Sequence, residues 1–343
     1  MRFCSVLVCL LVASASQGQT QRDAARQRAV HFGAAVDPRY LAEARYSGVL
    51  AAEFDQVEPE NAMKFGPVHP EPDRFNFAQA DQVVAFAQAQ GMAVRGHTLV
   101  WHNQLPKWLT GGGFSPEQLA SILRNHIAAV AGRYAGRVYA WDVVNEAFND
   151  DGSLRSTLWS DAPGIGRGGT AYIEQALRWT RAADPAALLF YNDYGAEGMN
   201  RKSDAILAMA RDFRARGVPL DGIGLQMHFT PAIARLWKDV EENIARITAE
   251  GLQVHITELD VRIPVDAAGT AAAGDLNAQA EIYRQVVAIC VRHPGCTAIQ
   301  AWGLTDRHSW IPATYPGLGA ALEFDGDYRP KPAYRAVLEA LKK

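Results

Sequence analysis

The sequence alternates between short apolar stretches and longer amphipathic ones, and this rhythm limits the possible folds more than any other feature. Helical patterns fill most of the intervals, and breakers such as Asp184-Pro185 separate helix from strand. Repeated βα units of this kind predict a parallel sheet, and eight of them at this length predict an α/β fold with a single (β/α)8 TIM barrel. The stretches of strand length are residues 32–36, 51–57, 93–97, 138–144, 188–192, 222–227, 253–257 and 298–303.

A doubly wound sheet is the alternative arrangement for a βα repeat. Such a sheet usually has a glycine-rich phosphate loop after its first strand, and residues 33–38 do not supply one. We find no linker or low-complexity tract after the first twenty residues. We therefore assign residues 22–343 to one domain.

The first residues differ from the rest of the chain. Met1-Arg2 provide a positive start, residues 3–13 form a short apolar core, and Ala13-Ser14-Ala15 form a small-x-small cleavage site. The pattern predicts a secretory signal peptide over residues 1–18, cleaved near 15–19. The apolar core is too short for a membrane span, so we expect export to the periplasm or the medium.

Composition limits the class of partner, and the cysteine content agrees with an exported protein. A charged fraction of 21% and a net charge of −3 give neither a basic surface for nucleic acid nor a polybasic membrane patch. Beyond the predicted signal peptide, Cys290 and Cys296 flank a Pro-Gly turn. In an oxidising compartment we expect them to form a disulfide, and two separate thiols are the alternative.

Polar and aromatic side chains are concentrated where the predicted strands end. The fourth strand ends in Asn145-Glu146, and the seventh ends in Glu258-Leu259-Asp260. The carboxyl ends of barrel strands meet at one face, so Glu146 and Glu258 should face each other across the barrel mouth. Two carboxyl groups that face each other across a cleft are the groups that most enzymes use to hydrolyse a glycosidic bond.

Four of these segments resemble glycoside hydrolase family 10, whose members are mainly endo-β-1,4-xylanases. The segments are residues 60–64 (ENAMK), 96–102 (GHTLVWH), 141–146 (WDVVNE) and 256–260 (ITELD), and their joint occurrence in this order is highly specific. The resemblance extends from about residue 30 to residue 342. It implies a retaining enzyme that hydrolyses internal linkages of xylan and xylo-oligosaccharides, as a monomer and without a cofactor or a metal.

The resemblance also implies roles for individual residues. Glu146 matches the family's general acid/base and Glu258 its nucleophile, while Asn145 resembles the donor to the sugar 2-hydroxyl. Asp260 would orient His228, which would keep Glu258 ionised. Positions that match sugar-binding residues are Glu60, Asn61, Lys64, His97, Trp101, Gln104, Tyr194, Gln226, Trp302 and Trp310. Within this set, Trp310 and Gln104 are predicted to exclude the hydroxymethyl group of glucose, and so to favour xylose.

The sequence leaves three other interpretations to consider. A cellulase or mixed-linkage glucanase on a related barrel would use the same two glutamates, but the 60–64 segment and the Trp310 region favour xylan. A catalytically inactive sugar-binding barrel would typically lack one glutamate. A metal hydrolase would use His97, His102, His228 and His255, yet no two of them have the i, i+4 helical spacing of a zinc motif.

Overall fold

The computed structural model describes residues 19–161 and 165–343, and within these ranges eight parallel strands form a closed barrel. Neighbouring strands pair in chain order, and the last strand pairs with both the first and the seventh. The prediction of a single (β/α)8 barrel is therefore confirmed, while the predicted signal peptide lies outside the described residues. The strands are β1 His31–Val36, β2 Gln56–Pro59, β3 Ala93–Val100, β4 Ala140–Asn145, β5 Leu188–Asp193, β6 Gly222–Leu225, β7 Gln253–Val261 and β8 Cys296–Ala301.

Helices surround the barrel and alternate with its strands. The long helix before β4 shows how local sequence sets a helix start. Ser115 Oγ accepts from the Gln118 backbone N–H at 3.3 Å, and Gln118 Oε1 accepts from the Ser115 N–H at 2.8 Å, which forms a capping box. The helices are α1 Gln21–Gln27, α2 Ala44–Glu53, α3 Ala78–Ala89, α4 Pro116–Arg133, α5 Ala171–Ala183, α6 Arg201–Ala215, α7 Trp237–Ala249, α8 Ala273–Arg292 and α9 Pro332–Lys342, with short turns at Phe65–Val68, Lys107–Thr110 and Ile311–Thr314.

The predicted second strand was wrong at its start. Residues 51–53 end helix α2, and β2 begins at Gln56. Helix α2 buries Tyr46 and Leu50, four residues apart, and its alanines favour the helical conformation. The apolar run that suggested a strand is therefore part of a helix face.

Two predicted strands also extended too far. Strand β6 ends at Leu225 and β8 at Ala301, whereas the apolar patterns continued to residues 227 and 303. Met227 has φ 60° and Gly303 has φ 130°, and neither value fits a strand. The chain turns at these two points, which places the following side chains at the mouth of the barrel.

Both surfaces of the barrel strands are covered. All six residues of β4 are buried, as expected for a parallel sheet with helices outside and side chains inside. Trp141 is fully buried, and its ring occupies the space that a Cβ at Gly96 on the neighbouring strand would need. Glycine at position 96 therefore allows a large aromatic side chain to pack against the barrel wall.

The predicted disulfide joins Cys290, in the last turn of α8, to Cys296 at the start of β8. Closing a loop of this size should stabilise the fold by about 2 kcal/mol through the entropy of the unfolded chain. We expect the double replacement Cys290→Ser and Cys296→Ser to lower the free energy of unfolding in urea by about this amount. The bond lies at the amino end of β8, away from the barrel mouth, so kcat should not change. Equal urea midpoints for the oxidised wild type and the variant would contradict the assignment.

Candidate active site

A cleft with a volume of about 660 Å³ opens at the carboxyl ends of the barrel strands. All the catalytic and sugar-binding residues predicted from the sequence line it except Asp260, which lies behind His228. The chain thus brings together side chains from strands β3, β4 and β7 and from the segments that follow each of the strands β2 to β8. The cleft is lined by Glu60, Asn61, Lys64, His97, Trp101, Gln104, Asn145, Glu146, Tyr194, Gly195, Glu197, Gln226, His228, Glu258, Arg262, Trp302, Trp310 and Tyr315.

Glu258 lies near the end of β7 with its carboxylate held on both oxygens. Its Oε1 accepts from Asn192 Nδ2 at 2.8 Å, and its Oε2 lies 3.1 Å from His228 Nε2. Burial opposes ionisation, but the hydrogen bond from His228 and the positive charges of His97, His228 and Lys64 outweigh it and lower the pKa of Glu258. The environment therefore keeps Glu258 as a carboxylate, the form that a nucleophile needs.

His228 stands between two carboxylates. Its Nε2 faces Glu258, and its Nδ1 lies 3.0 Å from Asp260 Oδ2. Burial disfavours the charged ring, but Asp260 and Glu258 prevail and raise the pKa of His228 to about 10. Trp310 Nε1 donates to the same Asp260 oxygen at 2.8 Å. Asp260 thus holds the His228 imidazole against Glu258 and also orients Trp310, which forms an aromatic wall of the cleft.

Glu146 follows β4 and presents both carboxyl oxygens to neutral donors. Trp101 Nε1 donates to Oε2 at 2.8 Å, and Gln226 Nε2 donates to Oε1 at 3.0 Å. The backbone of Glu146 has φ 59°, in the left-handed region that is unfavourable for a residue with a side chain. Its N–H donates to the Asn192 carbonyl at 2.9 Å, and its own carbonyl accepts from Arg155 Nε at 3.1 Å. These contacts hold the turn that directs Glu146 into the cleft next to Asn145.

A chain of side-chain amides links the two glutamates. Asn192 Nδ2 donates to Asn145 Oδ1 at 2.9 Å as well as to Glu258, and Gln226 Nε2 lies 3.3 Å from the same Asn145 oxygen. With its oxygen occupied in this way, Asn145 directs its amide N–H groups elsewhere. It is therefore suited to donate to a sugar hydroxyl.

Lys64 places a second positive charge in the cleft. Its Nζ donates to Asn61 Oδ1 at 3.0 Å and lies 4.7 Å from the centre of the Trp101 ring. Gln104 Nε2 donates to the same Asn61 oxygen at 3.1 Å. Burial lowers the pKa of Lys64, although the carboxylates around it oppose that effect. The group has donors in reach of a ligand and aromatic surface beside them, as a sugar site requires.

A buried charge cluster lies beneath the cleft, inside the barrel. The Arg95 guanidinium contacts Asp142 and lies 3.5 Å from Glu58, while His97 Nδ1 lies 3.0 Å from Asp142 Oδ2. Burial and the charge of Asp142 raise the pKa of Glu58, whereas Arg95 and His97 lower the pKa of Asp142 against the effect of burial. We infer that this cluster orients His97. Its Nδ1 faces Asp142, so its Nε2 remains available to the cleft.

Comparison with known proteins identifies the family of the chain. The sequence model of glycosyl hydrolase family 10 matches residues 20–340. The chain belongs to glycosyl hydrolase family 10. A curated relative, endo-1,4-beta-xylanase B of Thermotoga neapolitana, is 41% identical over 349 residues, which cover 100% of this chain and 98% of the relative.

Solved family 10 structures have the same fold over nearly the whole chain. Xylanase 10B of Thermotoga petrophila RKU-1, solved in complex with xylobiose, is 42% identical with a TM-score of 0.90, and the match covers 95% of this chain and 98% of that one. A glycosylated endo-beta-1,4-xylanase of Gloeophyllum trabeum is 38% identical with a TM-score of 0.87, covering 95% and 99%. The chain is thus similar over its full barrel to bacterial and fungal xylanases.

In this family 10 chain, the histidines of the metal-hydrolase interpretation do not share one centre. His228 is held by Glu258 and Asp260. His255, in contrast, contacts Arg95, and its Nε2 lies 2.9 Å from Thr297 Oγ1. His97, Glu58 and Asp142 do bring ligand atoms within 4.8 Å of one another. The Arg95 guanidinium already lies between these carboxylates and supplies the positive charge there.

Four cleft residues were not among the predicted site residues: Gly195, Glu197, Arg262 and Tyr315. Asn192, at the end of the predicted fifth strand, was not among the predicted site residues either, yet it donates to Glu258 and Asn145. Arg262 could have been found, because it follows Asp260 by two residues and strand alternation puts it on the same face. Tyr315 gave no such signal, since it belongs to a long loop after β8.

The arrangement around His228 predicts its titration behaviour. Asp260→Asn keeps the shape but removes a negative charge, so the pKa of His228 should fall from about 10 and that of Glu258 should rise. Because the folded-state pKa exceeds the ordinary value of 6.5, protonation of His228 stabilises the fold fully below about pH 6.5, and this contribution is lost as the pH rises through about 10. Titration of the ring nitrogens by ¹⁵N NMR measures both proteins. A wild-type His228 that titrates near 6.5 would contradict the assignment.

Proposed function

We propose that this family 10 chain is a retaining endo-1,4-β-xylanase in which Glu258 is the nucleophile and Glu146 the general acid/base. One observation supports these roles above all others. The two glutamates share one cleft but have different partners, since Glu258 lies against the His228 imidazole, whose pKa is raised, and Glu146 lies against neutral donors. Two carboxyl groups in contrasting environments are what a double displacement requires.

In the first step, a Glu258 oxygen attacks the anomeric carbon of the bound xylosyl unit. The glycosidic bond breaks, and Glu146 donates its proton to the departing oxygen, so that the leaving chain departs as a neutral alcohol. The product is a glycosyl ester on Glu258. Asn145 donates to the 2-hydroxyl of this sugar, a contact that strengthens as positive charge develops on the ring.

In the second step, Glu146 acts as a base. Esterification has removed the negative charge of Glu258, and Glu146 is now ionised because it has given up its proton. It takes a proton from a water molecule that attacks the anomeric carbon on the face left by the first product. The ester bond breaks, Glu258 returns as a carboxylate, and two inversions leave the configuration unchanged.

The preference for xylan is proposed to rest on Trp310 and Gln104. Trp310 is fixed by its hydrogen bond to Asp260, and Gln104 by its hydrogen bond to Asn61. Fixed side chains of this kind cannot move aside for the hydroxymethyl group of glucose without breaking these bonds. The endo-1,4-beta-xylanase relatives and the xylobiose-bound neighbour support the same substrate.

The test compares soluble xylan with carboxymethyl cellulose, using reducing-sugar release by the wild type and by Glu258→Ala. We expect activity on xylan that disappears in the variant. Activity on cellulose alone would keep the two-glutamate mechanism and overturn the roles of Trp310 and Gln104. Activity on xylan that survives in the variant would overturn the assignment of the nucleophile.

We further propose that the enzyme is exported and acts as a monomer. The N-terminal pattern over residues 1–18 and the Cys290–Cys296 bond support export to an oxidising compartment. In the described part of the chain, no helix has the length and apolarity that crossing a bilayer demands. The proposed nucleophile, the acid/base and the residues that hold them all belong to one chain, so the proposed mechanism needs no second subunit.

A further inference from the structure

Arg262 is a cation that lines the cleft. It follows β7, half-buried, on the same side of the cleft as Trp310 and Tyr315. Its guanidinium lies 4.5 Å from the centre of the Tyr315 ring, and Nη1 donates to the His228 carbonyl at 3.3 Å. Among the described residues, no carboxylate oxygen lies within the 4.0 Å of an ion pair with it. Most of its five N–H donors therefore remain available.

The acids of the cleft already have partners of their own. Glu258 faces His228 and Asn192, and Glu146 accepts from Trp101 and Gln226. Glu197 accepts backbone N–H groups from Gly195 at 3.2 Å and from Met227 at 3.1 Å. Glu60, the remaining acid of the cleft lining, accepts from Asn61 Nδ2 at 3.3 Å, and among the described residues none of these acids forms an ion pair with Arg262.

The ring of Tyr315 lies against this guanidinium, whose carbon is 4.5 Å from the ring centre. Tyr315 packs edge-on against Trp310, with ring centres 5.7 Å apart, and Trp310 is tied to Asp260. Stacking on an aromatic ring leaves the donors in the plane of the guanidinium free for a planar acceptor. A carboxylate matches that geometry with two parallel hydrogen bonds, whereas a sugar hydroxyl does not.

We propose that Arg262 binds the carboxylate of an acidic branch on the substrate, a glucuronic acid substituent of xylan, and makes the cleft favour acid-branched over unbranched chains. The inference rests on the proposed xylanase function and extends it to the class of xylan. The xylose backbone is neutral, so the unpaired cation is explained by a charged substituent rather than by the backbone. Arg262 is here a specificity-determining residue and takes no part in bond cleavage.

The test measures kcat/KM on two xylo-oligosaccharides of equal backbone length, one unbranched and one with a single glucuronic acid branch. Arg262→Gln keeps a polar side chain but removes the charge. Arg335→Gln, on the exposed face of α9, makes the same change in net charge away from the cleft. We expect Arg262→Gln to reduce the branched-to-unbranched ratio by about 10-fold, since a charge-assisted bidentate contact is lost. Arg335→Gln should leave this ratio at the wild-type value.

Two further measurements make the outcome decisive. Reduction of the branch carboxyl to an alcohol should remove the wild-type preference, and raising the salt concentration should weaken it, because the contact is between charges. Equal losses on both substrates would overturn the proposal and make Arg262 a ligand of the backbone. No loss on either substrate would overturn it as well. Failure of the wild type to cleave the unbranched substrate would instead count against the xylanase function.

Discussion

Replacing Glu258 by alanine is expected to lower kcat on xylan by at least about 10,000-fold, because the covalent route loses its nucleophile. His228, Asn192 and Asp260 keep their places in this variant, so substrate binding should change far less than kcat. The measurement is steady-state hydrolysis of soluble xylan and, beside it, of an aryl xylobioside, which has a good leaving group. The control is Glu258→Gln, which keeps the volume of the side chain and should be equally inactive.

The same variant allows a stereochemical test. Removal of the carboxylate leaves space for a small anion such as azide on the face from which Glu258 attacks. Azide would then displace the aryl group in one step and give a glycosyl azide of inverted configuration. Restored release of the aryl group with an α-glycosyl azide as product assigns Glu258 as the nucleophile. A product with retained configuration would place the nucleophile on another residue.

Replacing Glu146 by alanine is expected to have effects that depend on the leaving group. On xylan, where the departing oxygen needs a proton, kcat should fall by about 100- to 10,000-fold. With an aryl leaving group of low pKa the first step needs little acid assistance, and the second step, which lacks its base, becomes limiting. The glycosyl-enzyme should then accumulate, and pre-steady-state measurements should detect a burst of the released phenol.

A matched variant separates this role from simple damage to the cleft. Gln226→Ala removes a donor to Glu146 but leaves the acid in place. It should lower kcat on xylan and on the aryl substrate by similar factors, without a burst. A Glu146→Ala protein that loses equal activity on both substrates would contradict the acid/base assignment.

Most of the fold could be predicted from the sequence because its strands are apolar on both faces and its helices are long. The exception, α2, shows the limit of this reasoning. The run around Ala51 has too few residues for its period to separate helix from strand, and only the packing of Tyr46 and Leu50 decides between them. The ends of the strands could not be predicted either. Nothing about a methionine at position 227 indicates that its backbone has φ 60°.

The cleft was harder to predict than the barrel. The resemblance supplied the residues of the motifs, but contacts across the barrel depend on which side chains meet. The donation from Asn192 to both Glu258 and Asn145 joins three different strands, and neither periodicity nor spacing encodes it. The same holds for Arg262 and Tyr315, whose contact links β7 to the loop after β8.

The ends of the described chain lie together, away from the cleft. Arg28, which follows α1, donates from Nε to the carbonyl of Leu341 in α9 at 2.9 Å, and both positions are near the amino end of β1. The cleft opens at the opposite end of the barrel. An enzyme immobilised on a solid support through either of these described ends would therefore present its open face to a long polymer. Fusion to a second protein at these ends should likewise leave turnover intact.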